Sequence, residues 1–360
     1  CALPISRDDL EALYKKTRTG NFPLLRIYSG TQDLVANGQL FQDTINNAWA
    51  AVPVFWYSEL DGRGPKKLLP SIQEHFNAIR WHAEHDVPVE INDPHQWGLR
   101  MAPDHLVVAD AYLSARVAKE LGVKNYIEQI MFNTPPGNTF QMDLARALAM
   151  VEIVQPLVEN KFNVIKQTRA GLAYFSPREI TAMGQLCVST LIQMSVKPHI
   201  MHVVSYTEGD HAAKPEDVIN SCKMISRVIQ DATHGLPNFL VDPKIIERKN
   251  QLLQEAITLL SGLQLYAERE GENNIYTSPK VLSRAVHEGI LDAPQLMGNP
   301  AAQGKMKTRI IDGTCVVVDE DNHIIKEAER LEKFDIIINQ NRSINDLIIK
   351  RKGGISNGSI

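Results

Sequence analysis

The residues of this chain with most to offer chemically stand at the ends of β-branched runs. Arg26 and Tyr28 lie two apart in 24–30 (LLRIYSG), hence on one face of an extended segment. Glu59, Asp61 and Arg63 end or follow 52–58 (VPVFWYS), and Glu90 and Asn92 alternate in 87–93 (VPVEIND), with Arg100 close behind. Gln129 and Asn133 mark 125–133 (NYIEQIMFN), Gln167 and Arg169 mark 163–169 (NVIKQTR), and His202, Tyr206 and Glu208 sit in or after 199–205 (HIMHVVS). A guanidinium offers a planar fork of donors that matches two oxygens of a carboxylate or phosphate. Arg26, Arg63, Arg100 and Arg169 are therefore candidates for gripping an anionic ligand. Taken singly, each polar group is equally well explained by an internal hydrogen bond; the collection is more telling. No Gly-x-Ser-x-Gly elbow, His-Glu-x-x-His pair or Walker loop occurs, so hydrolase and phosphotransferase chemistry lacks support.

The elements that must position these groups alternate. Six β runs are each followed by a longer stretch of helical periodicity, as at 68–85 and 103–121. Pro103-Asp104 opens the second of these helices and Gly122 stops it; Pro177-Arg178-Glu179 and Pro215-Glu216-Asp217 open two more. Such alternation predicts a parallel sheet with right-handed crossovers. With no Gly-x-Gly-x-x-Gly after the first strand, a TIM-type (β/α) barrel is favoured over a doubly wound sheet, and the polar strand tips then gather at one mouth. A closed barrel of that kind has eight strands, so two are lacking on the N-terminal side or come from another chain. Residues 1–240 are read as this incomplete barrel. Residues 241–360 are read as an accessory C-terminal region: a long helix over 241–268, a shorter one over 278–289, a hairpin in 308–319, and a frayed end from about Gln340.

Composition narrows the class. The chain has 360 residues, 44% hydrophobic and 22% charged, with a net charge of -4. No basic stripe with interleaved aromatics is present, so nucleic acid and anionic membrane are poor partners. No apolar run is long enough to span a bilayer and no signal-peptide plan opens the chain, which suggests a cytoplasmic protein. Cys1, Cys187, Cys222 and Cys315 are scattered without zinc or disulfide spacing. Cys1 in place of an initiator Met suggests a truncated chain, a lipidated mature terminus being the alternative.

One short motif, Asp93-x-His95-x-x-Gly98, is the run with which many corrinoid-binding domains offer a histidine to cobalt. The Ser-x-Leu and Gly-Gly that accompany it there are missing at the right distances. His95 is accordingly read as lining the mouth and meeting substrate or a cofactor's upper face, cobalt ligation being the alternative.

The order of segments resembles the E (epsilon) subunit of methylaspartate (glutamate) mutase. The resemblance spans about residues 23–331. It rests on Pro23-Leu24 with 30–33 (GTQD), on 118–125 (AKELGVKN), 214–224 (KPEDVINSCKM) and 285–294 (AVHEGILDAP), and on the small-residue turn 298–304 leading to 309–312. A weaker echo of the lysine aminomutase barrels falls at 206–211 (YTEGDH). The resemblance implies the catalytic barrel of an adenosylcobalamin-dependent radical mutase, working with a cobalamin-binding Rossmann-type subunit on a small carboxylic or amino acid. It implies that Glu208 and His202 touch the adenosyl ribose, that Arg26, Arg63, Arg100 and Arg169 clamp the acid, and that Gln129 and Asn133 orient it, with Tyr28 and Glu90 completing the pocket. The family's glycine-rich segment is replaced here by 52–63 (VPVFWYSELDGR), and Tyr28 stands where the family has its arginine, which puts glutamate itself in doubt as the substrate. A corrinoid-linked methyltransferase or lyase on the same fold, and a non-catalytic homologue, are the competing readings.

Overall fold

The computed structural model describes residues 6–338. Cys1 and the stretch from about Gln340 lie outside the described residues. The helices are α1 (Arg7–Thr17), α2 (Leu34–Ile45), α3 (Leu68–Glu84), α4 (Asp93–Gly98), α5 (Asp104–Glu120), α6 (Phe140–Val154), α7 (Glu179–Gln193), α8 (Pro215–His234), α9 (Pro243–Arg269), α10 (Pro279–His287) and α11 (Glu327–Glu332). The strands are β1 (Ala50–Ala51), β2 (Val89–Ile91), β3 (Asn125–Phe132), β4 (Asn163–Ala170) and β5 (Ile200–Met201), followed by the hairpin strands β6 (Thr308–Ile311) and β7 (Thr314–Val317).

The five strands β1 to β5 form one parallel sheet in chain order. Each crossover steps to the next strand in the same direction, and no described strand reverses the order as a doubly wound sheet would. The expected run 24–30 joins this sheet only through a parallel bridge from Tyr28 to Ala51. Its remaining backbone turns to the neighbouring loop: Ile27 N–H donates to Asn47 Oδ1 and Leu25 C=O accepts from Ala48 N–H.

The expected strand at 52–58 is a correction. Pairing ends at Val52, and side chains then replace the ladder. Asp93 accepts from the N–H groups of Val54 and Phe55, both at 2.7 Å, and Asp61 accepts from those of Tyr57 at 3.1 Å and Ser58 at 3.2 Å. A carboxylate that satisfies two consecutive amides holds them in a loop that needs no partner strand. Asp93 is 0% exposed, so the first residue of the Asp93-x-His95-x-x-Gly98 motif acts on the backbone of 54–55.

Helix α3 carries Leu68, Ile72, Phe76, Ile79 and Ala83 at three-and-four spacing, all buried. Helix α5 is buried on nearly every side because α6 and α9 pack over the face that the sheet leaves free. This packing runs across residue 240. Leu252, Ala256, Leu260 and Leu263 of α9, with Val281 and Leu282 of α10, belong to the same hydrophobic core as Leu106, Leu113, Ile130 and Met150. The C-terminal region is thus a structural wall of this core.

One core group invites a titration test. Glu128 on β3 is 2% exposed, its Oε1 has no hydrogen-bond partner, and burial raises its pKa to about 8 against a smaller downward pull from Lys166. A carboxyl raised in the folded state favours the neutral form, so the stability it allows is full below the unfolded value of about 4.3 and is lost progressively as pH rises toward 8. Glu128→Gln is therefore expected to be more stable than the parent at pH 8 by a few kcal/mol, with the gap shrinking toward pH 5. Urea unfolding at the two pH values checks it; a gap that does not change with pH removes the argument.

Candidate functional site

Strand register assembles the site. In a parallel sheet, paired residues point to the same side and alternate residues along a strand share it. Tyr28 is level with Ala51, Ala51 with Glu90, Glu90 with Ile127, and Gln129 with Gln167, which in turn is level with Ile200. Period two then puts Arg169 on the face of Gln167 and His202 on that of Ile200. Tyr28, Glu90, Gln129, Gln167, Arg169 and His202, scattered over 175 residues of chain, occupy one face of the sheet.

Glu90 is the hub of that face. It is fully buried, and its carboxylate accepts from Arg26 Nη2 at 2.7 Å, Trp49 Nε1 at 2.8 Å, Gln129 Nε2 at 2.7 Å and Gln167 Nε2 at 3.3 Å. The Arg26 guanidinium lies 3.9 Å from the centre of the Tyr28 ring, and its pKa is raised because Glu90 and Tyr28 outweigh the larger single effect of burial. Arg26 is therefore committed to the protein.

Arg63 and Arg100 form a second group. Arg63 donates to Asp61 and, at 3.0 Å, to Gln96 Oε1, while Arg100 donates to Gln96 Oε1 at 3.1 Å and to its carbonyl at 2.9 Å. Each guanidinium also covers an aromatic ring, Tyr57 at 4.2 Å and Trp56 at 4.1 Å. The pair lines a cavity of 480 Å³ with Leu99, Gln295 and Asn299.

Arg169 differs from all three. It is 7% exposed, forms no ion pair among the described residues, and makes only a long 3.5 Å bond to the Ala170 carbonyl. Burial lowers its pKa, with Tyr28, Glu90 and Glu208 acting against that burial. Two imidazoles stand near it. His202 falls to about 3 through burial and the charges of Arg169 and Arg26; His95 falls well below its ordinary value through burial, Arg169 and His202. Both rings are neutral at pH 7 and add no second positive charge beside Arg169, which has no carboxylate in ion-pair contact among the described residues.

His95 sits on α4 at 5% exposure, its Nε2 accepting from Gln96 at 3.1 Å and its Nδ1 sealed without a partner. A macrocycle cannot reach a ring so enclosed. Both polar atoms of Asn92, which lies beside the Tyr57 hydroxyl, and Gln129 Oε1 are likewise buried without a well-formed hydrogen bond among the described residues. Glu208 lies exposed in a 3-10 turn, within electrostatic reach of Arg169.

Asn133 does not join the group. Its Oδ1 accepts from Ser189 of α7 at 2.6 Å and its N–H donates to Asp143 at 2.5 Å, so it ties β3 to two helices. Trp49, Tyr57 and Gln96 belong to the site although no reading of the sequence singled them out. The available signals were period two from Ala51 back to Trp49 and the four-residue helical spacing between Gln96 and Arg100.

A separate cluster of Asp319, Asp321 and His323 lies on the turn after β7. Asp319 Oδ1 accepts from the N–H groups of Asp321 and His323, and turn closure accounts for it. No helix among the described residues is long and apolar enough to cross a membrane. No protein-family model matches the chain, and no curated protein matches it either.

Proposed function

We propose that this chain is the catalytic barrel component of an adenosylcobalamin-dependent mutase acting on a small carboxylic or amino acid. The sheet serves in this reading as the wall of a (β/α) barrel whose polar mouth is covered by a cobalamin-binding Rossmann-type subunit, with any strands beyond the described ones coming from elsewhere. The observation that carries it is Arg169: a buried guanidinium without a carboxylate, on the same sheet face as a preorganised Glu90 network and beside two neutral imidazoles.

Burying an unpaired guanidinium costs several kcal/mol, and an entering carboxylate removes that cost while gaining a two-pronged hydrogen bond. Arg169 thus binds the acid. Glu90 is fixed by Arg26, Trp49, Gln129 and Gln167, so its orientation is set before any ligand arrives. Gln129 Oε1 and the Asn92 amide supply the remaining polar contacts to a substrate backbone.

The residues present also suit a nucleoside. Neutral His202 and exposed Glu208 are acceptors fit for ribose hydroxyls, and they lie next to the acid-binding arginine. When bound, adenosylcobalamin supplies radical chemistry through homolysis of its cobalt–carbon bond. The chain's own part is to hold the acid close and to keep water out, which the rings of Trp56 and Tyr57 over the mouth arginines assist.

The test mixes the purified chain with a cobalamin-binding partner subunit and adenosylcobalamin. Corrinoid absorbance is expected to elute with the complex, and a coupled Co(II) and organic-radical signal to appear in the electron paramagnetic resonance spectrum on adding the acid. A complex that holds corrinoid without any such signal points to a methyltransferase or lyase on this fold; no corrinoid at all rejects the mutase.

A further inference from the structure

Five arginines are buried among the described residues, and their partners divide them. Arg116 pairs with Glu120 at 2.8 Å, Arg146 with Asp104 and Asp143, and Arg330 with both oxygens of Glu327, each at 2.7 Å. Arg169 belongs to the site above. The fifth, Arg248 on α9, is 9% exposed, forms no ion pair among the described residues, and has Nε and Nη2 buried without any hydrogen-bond partner.

Arg248 lines a cavity of 680 Å³ between α9, the start of α6 and the hairpin β6–β7. None of its lining residues belongs to the site described above. One wall is apolar, with Met142, Ile311, Val316 and Ile325, while Lys244 and Lys326 stand exposed at its rim. Glu247, Glu255 and Asp312 also line the cavity, and none of them forms an ion pair with Arg248 among the described residues; beside it, Glu327 holds Arg330 and accepts from His105 Nε2 at 2.9 Å. Glu255 lies 3.7 Å from the other nitrogen of the same imidazole.

We propose that this cavity binds a small oxyanion carried on a short apolar body, with Arg248 as its anchor. A buried guanidinium with free donors calls for two oxygens in its plane. The aliphatic wall calls for a hydrocarbon tail of a few carbons, and the rim lysines draw the anion in. Carboxylate and phosphate ester share this chemistry.

Titration calorimetry on the whole chain with hexanoate and with hexyl phosphate separates the two headgroups. At least one probe is expected to bind, and Arg248→Met to weaken that probe at least tenfold while melting no lower than the parent in its absence, since it removes an uncompensated charge. In Arg169→Met the Arg248-dependent binding is expected to persist, which keeps this site distinct from the proposed substrate site. Should Arg248→Met not fold, Arg248→Gln reads the same quantity. Failure of both probes to bind, binding that survives loss of Arg248, or binding abolished by Arg169→Met overturns the proposal.

Discussion

Arg169→Met is expected to weaken binding of the substrate acid by about 100-fold, because truncating one member of a buried, hydrogen-bonded charge pair costs roughly 2–5 kcal/mol and each 1.4 kcal/mol is tenfold. The same change removes a desolvated charge that has no carboxylate partner among the described residues. The variant is therefore expected to unfold at the same or higher denaturant concentration than the parent when no acid is present. These two outcomes point in opposite directions, which is what gives the experiment force. A residue with a purely structural role would lose stability and affinity together. Calorimetric affinities for a panel of C4 and C5 mono- and dicarboxylic and amino acids, set beside urea midpoints, separate the cases. Unchanged affinity together with a lower midpoint would remove Arg169 from the site.

Glu90→Ala is expected to destabilise the fold by about 3–5 kcal/mol, the range seen when one partner of a buried ion pair is removed. The change strands the Arg26 guanidinium and leaves Trp49 Nε1 and the Gln129 and Gln167 amides without their acceptor. Glu90→Gln keeps an acceptor oxygen and loses the charge, so it should fall between the parent and the alanine variant. Adding Arg26→Met to Glu90→Ala is expected to restore part of the loss, since the second substitution removes the stranded charge. Denaturant unfolding of the parent, Glu90→Ala, Arg26→Met and the double variant closes a double-mutant cycle. Strict additivity of the two substitutions would show that the Arg26–Glu90 bond at 2.7 Å contributes no coupling.

Much of the sheet was legible because its signals are local. A β run bounded by turns and followed by a helix with Pro at its start needs no distant information, and β3, β4, α3, α5, α7, α8 and α9 fall where those signals put them. Strand 52–58 was illegible for the opposite reason. Its apolar, aromatic composition suits a strand, yet the carboxylates of Asp93 and Asp61 take its amides, and Asp93 is nearly forty residues away in the chain. The packing across residue 240 is hidden for a similar reason, since the amphipathic pattern of α9 says that one face is buried but not that α5 and α6 bury it.

The site divides along the same line. The sequence by itself determined which residue types alternate along each strand, as Gln167 does with Arg169; the register that puts them on one face with Glu90, Gln129 and His202 came from strand pairing. Alternation is a property of the extended backbone and travels with the chain. Only the tertiary structure decided which guanidiniums are already satisfied. Arg26 meets Glu90 across sixty-four positions of chain, Arg63 and Arg100 meet on Gln96, Asn133 turns away to Ser189, and Arg169 and Arg248 form no ion pair among the described residues. An ion pair depends on distances of a few ångströms between segments remote in sequence, and no local pattern encodes which of several similar arginines will find its partner.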